Sequence, residues 1–313
     1  MTIVIAHRGA SGYLPEHTLS AAALAYGMGA DFIEQDIVLS KDDCPIVLHD
    51  IHLDQVTNVA EIFPQRNRDD GHWYVRDFEL LELKQLEVHE RANSDGSGPV
   101  FPQRFPYQRG HFQIPTLQEE IDLIQGLNHS TGRKVGIYTE IKKPDWHNKE
   151  GAEITLHTLN VLKQNNYEVE SDNIFLQCFD SMELKRIKND FKSKLPLIQL
   201  IGKNSWNESP DDFRKMSTNL GCKDIAQYAV GIGPTMDLFY TASIVNNSVS
   251  STNLMQFAKN HNLLVHPFTF RSDGVPLAFG SYAEMVNWFV SDLKVDGLFT
   301  DFVDQTISLI NTN

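Results

Sequence analysis

With 313 residues, 41% of them hydrophobic, the chain carries enough apolar side chain for one large α/β domain or two ordinary ones. No apolar run approaches the roughly 20 residues that span a bilayer, so the chain reads as a soluble protein without a transmembrane segment. A formal net charge of -14 argues against a nucleic-acid or anionic-membrane surface, yet leaves room for a local anion site, because a bound cation and one arginine can dominate a cleft.

Short β-rich runs lie at residues 3–7, 32–38, 45–49, 135–141, 174–179, 197–201, 230–233, 264–268 and 297–300. Helical patterns fall between them at 19–28, 117–126, 152–165, 181–191, 254–260 and 282–293. Such alternation indicates βαβ units and a parallel sheet. About eight units in this length suit one (β/α)8 TIM barrel, with an open doubly wound sheet as the alternative. Residues 53–113 break the rhythm with stretches such as RNRDDGHWY and SDGSGPVFPQRFPYQRG. We read them as an inserted subdomain or lid over the site within a single 1–313 domain, since long loops in compact domains are usually functional. Cys44, Cys178 and Cys222 match no zinc spacing and read as free thiols. The chain opens almost directly on a strand, which suits either a cytosolic protein or a mature exported one.

The first fifty residues concentrate His7, Arg8, Glu16, Glu34, Asp36, His49 and Asp50 at or just beyond strand ends. Residues two apart on a strand share a face, so Glu34 and Asp36 point the same way. Two inward carboxylates repel unless a cation or a proton lies between them, and a hard divalent ion suits oxygen ligands. Glu140, in VGIYTEIKKP, repeats the arrangement and supplies a third carboxylate. The competing reading pairs these acids with Arg or Lys. His7 and His49 each end a strand, and an imidazole titrating near 6.5 suits acid–base catalysis. Arg8 offers a planar fork for phosphate oxygens, and Lys142, two beyond Glu140, can reach the same anion. Gln177, Phe179 and Phe268 read as pocket walls. No Walker-type loop, metalloprotease helix or nucleophile elbow occurs.

With these residues in hand, the chain resembles the glycerophosphodiester phosphodiesterases, especially the bacterial periplasmic type. The family's His-Arg-Gly falls on His7, Arg8 and Gly9, and its Pro-Glu-Asn-Thr block falls on Pro15, Glu16, His17 and Thr18. Glu-x-Asp falls on Glu34 and Asp36, His-Asp on His49 and Asp50, and Glu-Ile-Lys on Glu140, Ile141 and Lys142. LQCFD, VHPFTFR and DGLFTDF extend the likeness nearly to the C-terminus. His17 departs from the family's Asn, and Thr235 stands where an acidic residue is expected. The resemblance implies a barrel that hydrolyses glycerophosphodiesters, such as glycerophosphocholine and glycerophosphoethanolamine, to glycerol 3-phosphate and an alcohol. It implies one divalent cation on Glu34, Asp36 and Glu140, Ca²⁺ first and Mg²⁺ as the alternative. It further implies His7 and His49 as the acid–base pair, and Arg8 and Lys142 on phosphate. The expected compartment is the periplasm, with the cytoplasm as alternative. The rival functions are a phospholipase D-like or lyase enzyme releasing a cyclic phosphate, and a catalytically decayed binding protein on the same fold.

Overall fold

The structure is a computed structural model that describes residues 2–169, 173–243 and 248–311. Its centre is a ring of eight parallel strands: β1 (Ile3–Ala6), β2 (Phe32–Leu39), β3 (Gly136–Ile141), β4 (Ile174–Cys178), β5 (Leu197–Ile201), β6 (Gly231–Pro234), β7 (Leu264–Val265) and β8 (Gly297–Thr300). Neighbours pair from β7 through β6, β5, β4, β3 and β2 to β1, which pairs β8 in the register Ala6↔Thr300. Backbone hydrogen bonds from Asp296 to Val265 (3.1 Å) and from Phe299 to Pro267 (3.0 Å) close the ring. Each strand leads to a helix: α1 (Leu19–Met28), α2 (Leu117–Thr131), α3 (Ile154–Gln164), α4 (Ser181–Asn189), α5 (Asn219–Ile225), α6 (Leu254–Asn260), α7 (Tyr282–Asn287) and α8 (Val303–Asn311). This is the (β/α)8 barrel. Local chemistry sets its punctuation. Thr18 and Thr116 cap α1 and α2, Glu119 completes a capping box on α2, and Gly29 and Gly132 end these helices in the left-handed conformation.

Two apolar layers follow from strand alternation. Outward residues such as Ala6, Ile33, Ile37, Ile137 and Leu176 join the helices in the main core. Inward residues Ile5, Phe32, Tyr138, Ile198 and Phe299, with Phe175 and Phe268 against them, fill the barrel. The candidate strand at 45–49 is no stave of this barrel. Pro45–Val47 folds back antiparallel on the end of β2, so His49 sits in a loop two residues beyond it. The run at 264–268 is regular only over β7, which leaves Phe268 beyond the strand. Residues 53–113 carry short helices at Val59–Ile62 and Leu80–Leu83 and a tight turn at Val75–Asp77. Val56, Val59, Phe78, Leu83 and Val88 make their own cluster there, seated on Val38 and Ile46. The sequence pattern foresees neither α5 and α8 nor the hairpin Tyr240–Ser243 with Ser248–Ser251. Among the described residues no helix is long and apolar enough to cross a membrane, and all three cysteines are free.

Candidate active site

One step of two residues along the inward faces changes the barrel interior. Above Ile5, Phe32, Tyr138, Phe175 and Phe299 stand His7, Glu34, Glu140, Gln177 and Asp301. These residues lie toward the C-terminal face of the barrel, where loops can bring further groups over them. All ten residues expected at the site (His7, Arg8, Glu34, Asp36, His49, Glu140, Lys142, Gln177, Phe179 and Phe268) line a single cavity of about 420 Å³.

The two histidines are held alike. His7 Nδ1 lies 2.7 Å from Asp301 Oδ1, and His49 Nδ1 lies 2.6 Å from Asp50 Oδ1. Burial would raise the Asp301 carboxyl, but Arg271, His7 and Arg104 outweigh it and hold the group well below the ordinary range. Asp50 is held down in the same way by His49 and Arg91. Each ionised aspartate therefore accepts the Nδ1 proton, which makes Nε2 the nitrogen that exchanges one. Burial, then Arg8, lowers His7 to about 4 against the pull of Asp301. Burial, Arg8 and Lys142 lower His49 to about 4 as well. Both rings are neutral at pH 7 in the free protein.

The anions are crowded. The Arg8 backbone N–H donates to Glu34 (2.7 Å), while its guanidinium pairs with Glu16 (2.9 Å) and approaches Asp36 (3.6 Å). Lys142 Nζ lies 2.8 Å from Glu140, 3.3 Å from His49 Nε2 and 3.8 Å from Asp36. Burial and then Asp36 push Glu34 well above the usual carboxylate range, and Glu140 is raised by the same two causes against Lys142. Asp36 stays ionised because the Lys142 charge and the His17 hydrogen bond outweigh its burial. Arg8 and His17 hold positive φ values of 58° and 59°, a backbone region L residues rarely adopt, at the turn that builds this wall. Gly9 completes that turn, since a Cβ there would lie 2.7 Å from the Ala21 carbonyl carbon of α1.

His17, Glu34 and Asp36, all buried, each offer a ligand atom within 4.8 Å of the others. Among the described residues, Asp36 Oδ1 is buried without a hydrogen-bond partner. An unmet acceptor beside a second, repelled carboxylate fits a hard divalent cation. His17 Nε2 lies 2.7 Å from Asp36 Oδ2, whereas Glu140 stands beside this group on Lys142. Sequence reasoning singled out His17 only as a departure from a motif. It also missed Asp301 and Arg271 as site members, though both lie in the quoted DGLFTDF and VHPFTFR blocks. Trp206, Glu208 and Met236 also line the wall without any sequence signal, and Thr235, noted in the sequence only for standing where an acidic residue is expected, lines it with them.

Residues 7–305 match the model of the glycerophosphoryl diester phosphodiesterase family. A glycerophosphodiester phosphodiesterase of Haemophilus influenzae is 40% identical over 98% of this chain and 89% of its own length. One from Treponema pallidum is 34% identical over 98% and 91%. Among solved structures, an Oleispira antarctica phosphodiesterase in complex with the product sn-glycerol-3-phosphate aligns with a TM-score of 0.65 at 21% identity, over 99% of this chain and 97% of that one. A Thermotoga maritima glycerophosphodiester phosphodiesterase aligns at 0.60 and 19% identity, over 99% and 98%. These structures share the barrel, and the sequence matches carry the lineage: the chain belongs to the glycerophosphoryl diester phosphodiesterase family.

Proposed function

We propose that this site hydrolyses sn-glycero-3-phosphodiesters to glycerol 3-phosphate and an alcohol, with His7 and His49 as the acid–base pair. The observation that carries the reading is the paired fixing of both Nδ1 atoms on aspartates, with both rings in one cavity shared with Glu34, Asp36, Glu140, Arg8 and Lys142. The named activities of the relatives and the product held by the Oleispira antarctica protein support it. One imidazole takes the proton of the attacking hydroxyl at Nε2 as the new P–O bond forms. The other, carrying a second proton taken up at Nε2 with the anionic substrate, delivers it to the alkoxide as its P–O bond breaks. The attacking oxygen belongs either to the neighbouring glycerol 2-hydroxyl, through a cyclic phosphate that water then opens, or to water itself. Lys142 and Arg8 bring positive charge to the phosphate, and Gln177, Phe179 and Phe268 bound the space around the substrate.

Glu34 and Asp36 would hold a divalent cation, Ca²⁺ before Mg²⁺, with His17 and Glu140 as candidates for a further position. When bound, that cation supplies Lewis acidity toward the phosphoryl group. The test is metal-stripped protein on glycerophosphocholine, with Ca²⁺ or Mg²⁺ restored and glycerol 3-phosphate read by a coupled assay. Release that depends on the ion is the expected outcome. A stable cyclic phosphate with no glycerol 3-phosphate would instead indicate a lyase, and silence from folded protein with either ion would overturn the reading.

A further inference from the structure

Two arginines from the segment 53–113 reach back to the barrel mouth, and each ends on the aspartate that holds one of the two histidines. Arg104 Nη2 lies 2.7 Å from Asp301 Oδ2, and the other oxygen of Asp301 holds His7. Arg91 Nη1 lies 2.5 Å from Asp50 Oδ2, and the other oxygen of Asp50 holds His49. The result is two chains of the same order, Arg–Asp–His, each ending on a histidine that lines the one cavity. In each, one carboxylate oxygen is spent on a guanidinium and the other on an imidazole. An aspartate bonded at both oxygens cannot turn about its last bond without losing a charge-assisted hydrogen bond.

The arginines are themselves fixed. Arg104 has 4% of its side chain exposed; it lies 3.6 Å above the Phe101 ring and forks onto Asp273 at 2.8 and 3.1 Å. Arg91 has 14% exposed and forks onto Glu16 at 2.6 and 3.0 Å, with Gln55 at 2.9 Å. We propose that the insertion belongs to the catalytic apparatus: Arg91 and Arg104 are positioning residues that orient Asp50 and Asp301, and through them keep Nε2 of His49 and His7 facing the reacting atoms. This rests on the proposed roles of the two histidines.

The two chains differ in redundancy. Asp301 Oδ2 also accepts from Arg271 Nε at 2.7 Å, a residue of the barrel itself. Among the described residues, Asp50 has Arg91 as its one arginine partner. Loss of Arg91 should therefore cost more than loss of Arg104. Glu16 joins Arg91 to Arg8, so an effect on KM reports Arg8, while an effect on kcat at saturation reports His49.

The experiment measures kcat and KM for glycerophosphocholine with Arg91→Ala, Arg91→Lys, Arg104→Ala, His49→Ala and the double variant Arg91→Ala/His49→Ala, each checked for folding by circular dichroism. Arg91→Ala should lower kcat about 10- to 100-fold, as removal of a group behind a functional side chain commonly does. Arg91→Lys or added guanidinium should restore part of it, and Arg104→Ala should cost less than Arg91→Ala. In the His49→Ala background, Arg91→Ala should add little, because the group it positions is gone. Losses that multiply in the double variant, or an Arg91→Ala variant with raised KM and unchanged kcat, would overturn the proposal. Should Arg91→Ala fail to fold, Arg91→Lys carries the test: unchanged kcat in that variant overturns it, and a lowered kcat that disappears in the His49→Ala background supports it. Wild-type activity retained by His49→Ala would instead break the functional reading beneath the proposal, whatever the arginine variants do.

Discussion

The lower and upper layers of the barrel interior are built on the same strand faces, two residues apart, and behave in opposite ways. Below, Ile5, Phe32, Tyr138, Ile198 and Phe299 pack against one another, and the buried imidazole of His266 beside them bonds the Tyr138 hydroxyl at 2.9 Å. Above, Glu34, Asp36 and Glu140 crowd together beneath Arg8 and Lys142, with an acceptor of Asp36 left unmet. The strands impose only the alternation of faces. Depth decides the rest, because the lower layer is sealed by its neighbours while the upper layer opens to the cavity. The lower layer supplies hydrophobic stability, and the upper layer gives some up so that charges stay poised for a ligand.

The contrast can be broken most sharply at its top. Replacing His7 or His49 by Ala should each lower turnover about 10²- to 10⁴-fold with little change in the unfolding midpoint. A variant retaining half of wild-type activity would remove that residue from its assigned role. Next comes the floor. Ile5→Ala, at a fully buried position, should cost about 2–5 kcal/mol in denaturant unfolding while kcat of the folded protein stays within a few-fold of wild type. A large loss of kcat without loss of stability would show that the two layers are not separable.

The smallest effect sharpens the comparison through pH. Burial alone lowers His266 to about 3, whereas the histidines above it have aspartates opposing the same penalty. A histidine depressed from 6.5 in the unfolded chain contributes its full stability above that pH, and the contribution is lost as pH falls toward the folded value. Between pH 6.5 and 4.5, wild type should therefore lose about 2–3 kcal/mol more unfolding free energy than His266→Gln, whose amide can still meet Tyr138. Parallel urea-unfolding curves for the two proteins across that interval would show that His266 does not carry the penalty.

Much of the site was legible because its members sit in short blocks tied to strand ends. His7-Arg8-Gly9, Glu34 with Asp36, and Glu140 with Lys142 each combine a strand period with an ionisable pair, and that combination is rare in plain core strands. The run at 45–49 is a strand over Pro45–Val47, yet nothing in it tells whether it joins the barrel. An apolar run followed by His-Asp looks the same whether it pairs parallel in the barrel or folds back on the end of β2.

By itself, the sequence determined the alternation of strands and helices, the inward face of each stave and the ionisable residues at its end, because these depend on periods of two and 3.6 and on local capping. Tertiary structure alone decided which groups meet. Asp301 reaches His7 across 294 positions of sequence, and Arg104 reaches Asp301 across 197, because closing the ring sets β8 beside β1 and the insertion folds over both. Contacts of that range leave no period and no spacing to read. They arise when the barrel closes, and with them the charge balance that holds His7 and His49 neutral and leaves Asp36 with an acceptor still open.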